Sequence, residues 1–170
     1  SGKIGLGIDF NGDADSIDIS GFTPQASGTV SLLFQPGGTA GYRLLGSADE
    51  YELQTDASDN LLAEFYHGAT PSASTIAVDD LGRWYPISTS YDDGANTTVY
   101  VDGAVDVTFT NDGTNPSGTT LSIGNRYGQT GYTDGILDEV RIANSILPLA
   151  WVSAEHVNQS TTTDFYTATA

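Results

Sequence analysis

The sequence predicts an all-β protein: two antiparallel sheets stacked as a sandwich, with one short C-terminal helix. Three observations predict it. Short runs rich in β-branched and aromatic residues recur along the chain, with turn residues about every 8–12 positions. Several runs alternate apolar and polar residues, the period of a half-buried strand. Only Pro148–Asn158 has helical spacing. The chain has 170 residues, 38% of them hydrophobic, enough for one domain with a real core, and no linker divides residues 1–170.

The elements follow in order. Ser16–Ile19, Thr29–Gln35 and Leu61–Tyr66 are β-rich runs bounded by Gly, Pro, Asp or Asn. In Trp84–Tyr91, the set Trp84, Pro86, Ser88 and Ser90 opposes Tyr85, Ile87, Thr89 and Tyr91. Pro86 argues against a regular central ladder at its position. Tyr91-Asp92-Asp93-Gly94 marks a turn. Thr97–Val101 and Ala104–Thr110 flank Asp102-Gly103, a strong two-residue hairpin signal. Thr119–Ile123 and Gly135–Ile142 complete the strands. Pro148 suits the first turn of the helix, with Leu149, Val152 and Val157 on its apolar face and Trp151 beside them. Phe165 and Tyr166 are placed to pin the polar tail.

Within GILDEVRI, Ile136, Asp138, Val140 and Ile142 share one strand face, and Leu137, Glu139 and Arg141 share the other. The first set, apolar except for Asp138, is expected to face the core. A carboxylate there must accept hydrogen bonds or hold a cation. Asp138 is therefore either a metal clip or a clip on nearby backbone amides.

Composition excludes whole classes of function. Asp and Glu total 22 against five Lys and Arg, a formal net charge of −17. Nucleic acid and anionic membranes are poor partners for such a surface. No run of about 18 apolar residues is present, so no membrane insertion is expected. The absence of Cys removes disulfides, thiol catalysis and Cys-ligated zinc. Hard calcium suits clustered carboxylates better than zinc does. The lack of an initiator Met and of a signal peptide points to a processed product or a fragment of a longer protein. Abundant Gly, Ser, Thr, Asn and Asp suggest an extracellular, cell-surface or virion-surface setting.

Asp9, Asn11, Asp13 and Asp15 alternate like the first ligands of a calcium loop. The loop is not an EF-hand, because Ala14 replaces the required Gly and Ser20 stands where a bidentate Glu belongs. A solvated acidic loop without metal is the alternative. Glu50 and Glu52 share a face and read as solvated surface acids. His67 reads as a loop residue, and His156 as an exposed or helix-capping one. Trp84 and Trp151 read as core. Sugar recognition needs aromatic faces and planar polar groups. Three loops offer them: Tyr42 and Arg43; Tyr66 and His67; and Asn125, Arg126, Tyr127 and Tyr132. If the three loops meet at one rim, they form a shallow carbohydrate site; otherwise each Tyr covers the core edge.

Three stretches carry a family resemblance. Ile8-Asp9-Phe10-Asn11-Gly12-Asp13-Ala14-Asp15-Ser16-Ile17 is similar to an opening strand and acidic loop. Gly82-Arg83-Trp84-Tyr85-Pro86-Ile87, then Ser90-Tyr91-Asp92 and Thr98-Val99-Tyr100-Val101-Asp102-Gly103, resemble a Trp strand and YVDG hairpin. Leu121–Asn125, Gly135–Ile142 and Ala150–His156 resemble the closing strands and the helix after them. Together they resemble laminin-G-like, concanavalin A-like lectin/glucanase domains of bacterial or phage type. The resemblance implies a jelly-roll sandwich. It also implies a structural calcium joining the opening segment to the last strand, held by Asp138 with some of Asn11, Asp13 and Asp15.

The expected function is a non-catalytic carbohydrate-binding or adhesion module of a larger secreted, surface or virion protein. Its partners would be a glycan or polysaccharide and neighbouring domains or subunits of the assembly. A spacer domain that binds a neighbouring protein, and a polysaccharide hydrolase with spatially assembled acids, are the alternatives. No Glu-x-Asp-x-x-Glu pattern is present, and adjacent Asp138 and Glu139 face opposite sides.

Overall fold

The computed structural model describes residues 3, 5–38, 41–48, 51–65, 73–111, 118–128 and 130–160. Eleven strands and one helix occupy them: β1 (Ile8–Asn11), β2 (Ile17–Ser20), β3 (Ser27–Pro36), β4 (Arg43–Ala48), β5 (Tyr51–Thr55), β6 (Leu61–Phe65), β7 (Tyr85–Asp92), β8 (Asn96–Val101), β9 (Ala104–Thr110), β10 (Thr120–Ile123), β11 (Asp134–Ala143) and α1 (Leu149–Ser160). Six strands form one sheet in the order β1-β11-β3-β7-β8-β9, and five form the other in the order β2-β10-β4-β5-β6. Every pairing between these strands is antiparallel. This is the two-sheet jelly-roll sandwich with a C-terminal helix.

The core lies between the sheets and is rich in aromatic rings. Tyr91 stacks on Phe65 with centroids 4.8 Å apart, and Tyr51 meets both rings edge-on. The Tyr51 and Tyr91 hydroxyls lie 3.1 Å apart, so these buried polar ends satisfy each other. Tyr85, Ile87 and Tyr91 carry the core face of β7, as the spacing predicts, but Ser88 and Ser90 on the opposite face are buried as well. Pro86 does not interrupt the β3–β7 register, which runs unbroken from Ser27↔Asp92 to Phe34↔Tyr85. It sits just outside the β8 ladder, whose pairing begins at Ile87↔Val101. The hairpin also forms as expected: Asp102 and Gly103 both have positive φ, 53° and 75°, as a tight two-residue turn requires.

Three expectations fail. First, the core face of β11 is carried by Leu137, 1% exposed, whereas Ile136 is half-buried and Ile142 is exposed. Leu137 pairs with the core residue Phe34, so the strand enters with the opposite parity, and a bulge follows between Asp138 and Arg141, where Glu139 adopts φ +51°. The bulge adds one residue to the strand, so Leu137 and Val140, three apart, both pack against the core. Second, α1 buries Val152, Glu155 and Gln159 rather than Leu149 and Val157. It lies on the outer face of the six-stranded sheet, against Ser31, Ser88 and Gly103, and that polar floor accepts polar helix residues. Third, Trp151 is 43% exposed and is not a core residue. His156 is half-buried against the hairpin rather than exposed: a Cβ on Gly103 would lie 2.7 Å from the His156 Cβ.

Candidate functional site

Among the described residues, α1 lies on the outer face of the six-stranded sheet, and the outer face of the five-stranded sheet carries a different cluster. In β5 and β6, Tyr51, Leu53, Leu61, Ala63 and Phe65 point into the core. By alternation, Glu52, Gln54, Leu62 and Glu64 point outward. Glu52 is nevertheless 0% exposed. Two arginines roof it: the Arg43 guanidinium donates to Oε1, and Arg126 Nη1 donates to Oε2 at 2.9 Å. Around the triad, Glu52 pairs across strands with Glu64, whose Oε1 accepts from Gln54 Nε2 at 2.9 Å.

The arginines reach Glu52 because the segment after β10 folds back over β4. Gly124 N donates to Leu44 O at 2.8 Å, and Thr133 Oγ1 donates to Arg43 O at 2.8 Å. Arg43 Nε donates to Thr130 O at 3.0 Å. Arg126 crosses β4 at Gly46, where a Cβ would stand 2.9 Å from the Arg126 Cγ. Only glycine leaves that passage open.

Electrostatically, burial dominates at Glu52 and raises its pKa above the usual carboxylate value; Arg43 and Arg126 pull it back, and Glu64 pushes it up. The arginine side chains keep 21% and 13% of their area exposed, so some surface of each guanidinium still faces solvent. Tyr127, 52% exposed, follows Arg126 directly. Two fixed donor groups thus lie over a buried carboxylate, with an exposed aromatic residue next in sequence.

Of the predicted sugar-contacting residues, the structure brings Arg43 and Arg126 together, with Tyr127 adjacent and Tyr132 half-buried in the same segment. Tyr42 does not belong there. Its ring is 2% exposed and packs on Phe34 at 5.2 Å, and its hydroxyl donates to Gly38 O at 2.6 Å. Asn125, 4% exposed, lies beneath the surface. Tyr66, His67 and Glu50 lie outside the described residues. Glu52 is the opposite of the solvated acid expected. Its isolation as a charge in an otherwise strand-like run (YELQT) was the available signal.

The predicted metal ligands do not converge. The register pairs Asn11 with Asp134, not with Asp138. Asp138 stands four residues further along β11, about 13 Å away at strand rise. Asn11 Oδ1 accepts from Asp13 N at 2.9 Å, and Asp138 Oδ1 accepts from Glu139 N at 2.9 Å. Asp138 thus clips a backbone amide at the bulge. Among the described residues, no group of three or more His, Cys, Asp or Glu is arranged to hold a metal. Asn11, Asp13, Asp15 and Asp138 therefore do not fit one calcium ion as a set.

Known proteins agree with this architecture. No curated protein sequence matches the chain. A candidate carbohydrate binding protein from Bacteroides ovatus superposes with TM-score 0.69 at 20% identity, over 84% of this chain and 45% of its own. Trypanosoma rangeli sialidase gives 0.69 at 17% identity, over 91% of this chain and 28% of its own. Domain 4 of a Geobacillus stearothermophilus extracellular arabinanase, solved with arabinotriose, gives 0.66 at 20% identity, over 90% of this chain and 77% of its own. The chain thus spans less than half the length of the first two. A laminin-G-type family model matches residues 11–164. The chain belongs to the concanavalin A-like lectin/glucanases superfamily.

Proposed function

We propose that this domain binds a glycan, without cleaving it, on the outer face of the five-stranded sheet around Arg43, Glu52 and Arg126. The observation that carries the reading is the fully buried Glu52 held between two guanidiniums on an outward-facing strand position. A sheet needs no such triad for its own stability, since buried ion pairs are weak stabilisers at best. A preorganised fork of donors is what hydroxyl recognition uses. Tyr127, exposed and next in sequence to Arg126, is the aromatic residue this reading assigns to stacking on the sugar. Two neighbours, the Bacteroides ovatus protein and the arabinanase domain solved with arabinotriose, support the choice of ligand class.

Glu52 and Glu64, directly opposed, are near enough for a glycosidase pair, and a raised pKa suits a general acid. Against catalysis stand the burial of Glu52 and the arginine on each of its oxygens. Release of reducing sugar from a polysaccharide would favour the hydrolase. The setting is part of the same proposal: one module of a larger extracellular or surface protein, on the grounds of its abundant Gly, Ser, Thr, Asn and Asp. Oligosaccharide titration of the wild type and of Arg126→Ala tests the site. Binding that survives the substitution unchanged would place it elsewhere.

A further inference from the structure

The far side of the molecule holds a second constellation of the same chemical kind, built from different residues. A groove of about 340 Å³ runs along α1, lined by Arg141, Trp151, Ala154, Glu155, Asn158 and Gln159. That volume is in the range of small-ligand sites. Trp151, Glu155 and Asn158 lie at i, i+4 and i+7, so they line one side of the helix. Ala154 leaves the gap between Trp151 and Asn158 unfilled. Arg141, from β11, forms the opposite wall and pairs with both Glu139 and Glu155.

We propose that this groove is a second saccharide site, independent of the one at Glu52. The Trp151 ring, 43% exposed, offers a flat apolar face of the kind a sugar ring covers. Glu155, only 9% exposed, is fixed by Arg141, and Gln159 Nε2 lies 3.5 Å from its Oε1. Asn158 Oδ1 is enclosed yet has no hydrogen-bond partner among the described residues. Such an acceptor calls for a donor.

The same residues narrow the ligand. A purely apolar occupant would leave Asn158 Oδ1 unpaired at a cost. An anion would face Glu139 and Glu155, and a cation would face Arg141. A neutral polyol ring meets all three conditions: hydroxyls that donate to Asn158, hydroxyls that accept from Arg141, and an apolar face for Trp151.

The test is an NMR titration of the full chain with arabinotriose, xylotriose, cellotriose and maltotriose in turn. The side-chain signals of Trp151 and Gln159 report this groove, and those of Arg43 and Arg126 report the first site. The expected result is a saturable shift of the Trp151 indole signal with at least one trisaccharide. In Trp151→Ala, with the fold verified by circular dichroism, the Gln159 shift should weaken by at least about tenfold in affinity. Arg126→Ala should leave the Trp151 shift in place. A Trp151 signal that none of the four sugars moves overturns the proposal, as does a Gln159 shift undiminished in Trp151→Ala. Shifts at Trp151 with none at Arg43 or Arg126 would support this site and refute the one at Glu52.

Discussion

Arg126 reaches across 74 residues of sequence to place Nη1 2.9 Å from Glu52 Oε2. The bond ties the segment after β10 to the outer face of β5 and makes a surface position behave as an interior one. Removing the guanidinium exposes a carboxylate that was roofed and deletes a donor fork. Arg126→Ala should therefore weaken glycan binding by at least about tenfold, a loss near 1.4 kcal/mol. Calorimetric titration beside a circular dichroism spectrum separates lost binding from lost fold.

Burial raises the Glu52 pKa above 4.5 despite its two arginines. The folded protein therefore holds that proton to higher pH than the unfolded chain does. The stabilisation this group contributes is complete below the unfolded value and is lost as pH rises through the folded one. Glu52→Gln carries no such titration. The difference in melting temperature between wild type and Glu52→Gln should shift against the wild type as pH rises above 4.5. A difference that stays flat across that window would show that Glu52 is not perturbed.

The packing of β11 makes a sharp claim about its two ends. Leu137 is 1% exposed, whereas Ile142, at the far end of the strand, is 38% exposed. Leu137→Ala should cost about 2–5 kcal/mol, as buried large-to-small changes do. Ile142→Ala should cost well under 1 kcal/mol, as exposed substitutions usually do. Denaturant melts of the two variants check it, and equal costs would mean that Ile142 is buried as deeply as Leu137.

Gly103 joins the hairpin to the helix. Its φ is +75°, His156 fills the space where a Cβ would stand, and Ser153 Oγ donates to Gly103 O at 2.7 Å. Gly103→Ala should lower stability by about 1–2 kcal/mol from the backbone alone, and more if α1 lifts. Faster amide exchange in α1 than in β3 would show that the helix detaches first.

Chelation is the fifth lever. Asn11 lies opposite Asp134 while Asp138 clips the Glu139 amide, so the predicted ligands are split along β11. The melting temperature should be unchanged between calcium and chelator. A rise with calcium would show that the acidic loop ligates through another arrangement, because a ligand that binds only the native state must stabilise it.

The sequence exposed what local chemistry decides. The Asp102-Gly103 turn and the core face of β7 at Tyr85, Ile87 and Tyr91 follow from adjacent residues alone, and both formed as read. What failed depends on distant partners. Leu137 and Val140 share a face of β11 because of a bulge with one positive φ at Glu139, which no spacing announces. The buried face of α1 is set by the polar floor of Ser31 and Ser88 beneath it. Arg43 and Arg126 were legible as sugar-site residues, but their meeting point was not. Glu52 is buried only because the segment after β10 crosses Gly46, a contact that needs the folded chain.

The most direct measurement is a backbone and side-chain NMR titration of the wild-type chain with oligosaccharides, with the sugar analysed afterwards. The account predicts saturable shifts centred on Arg43, Glu52, Arg126 and Tyr127, with the sugar recovered intact. No shift at those residues with any sugar, or recovery of shortened sugar, would contradict it.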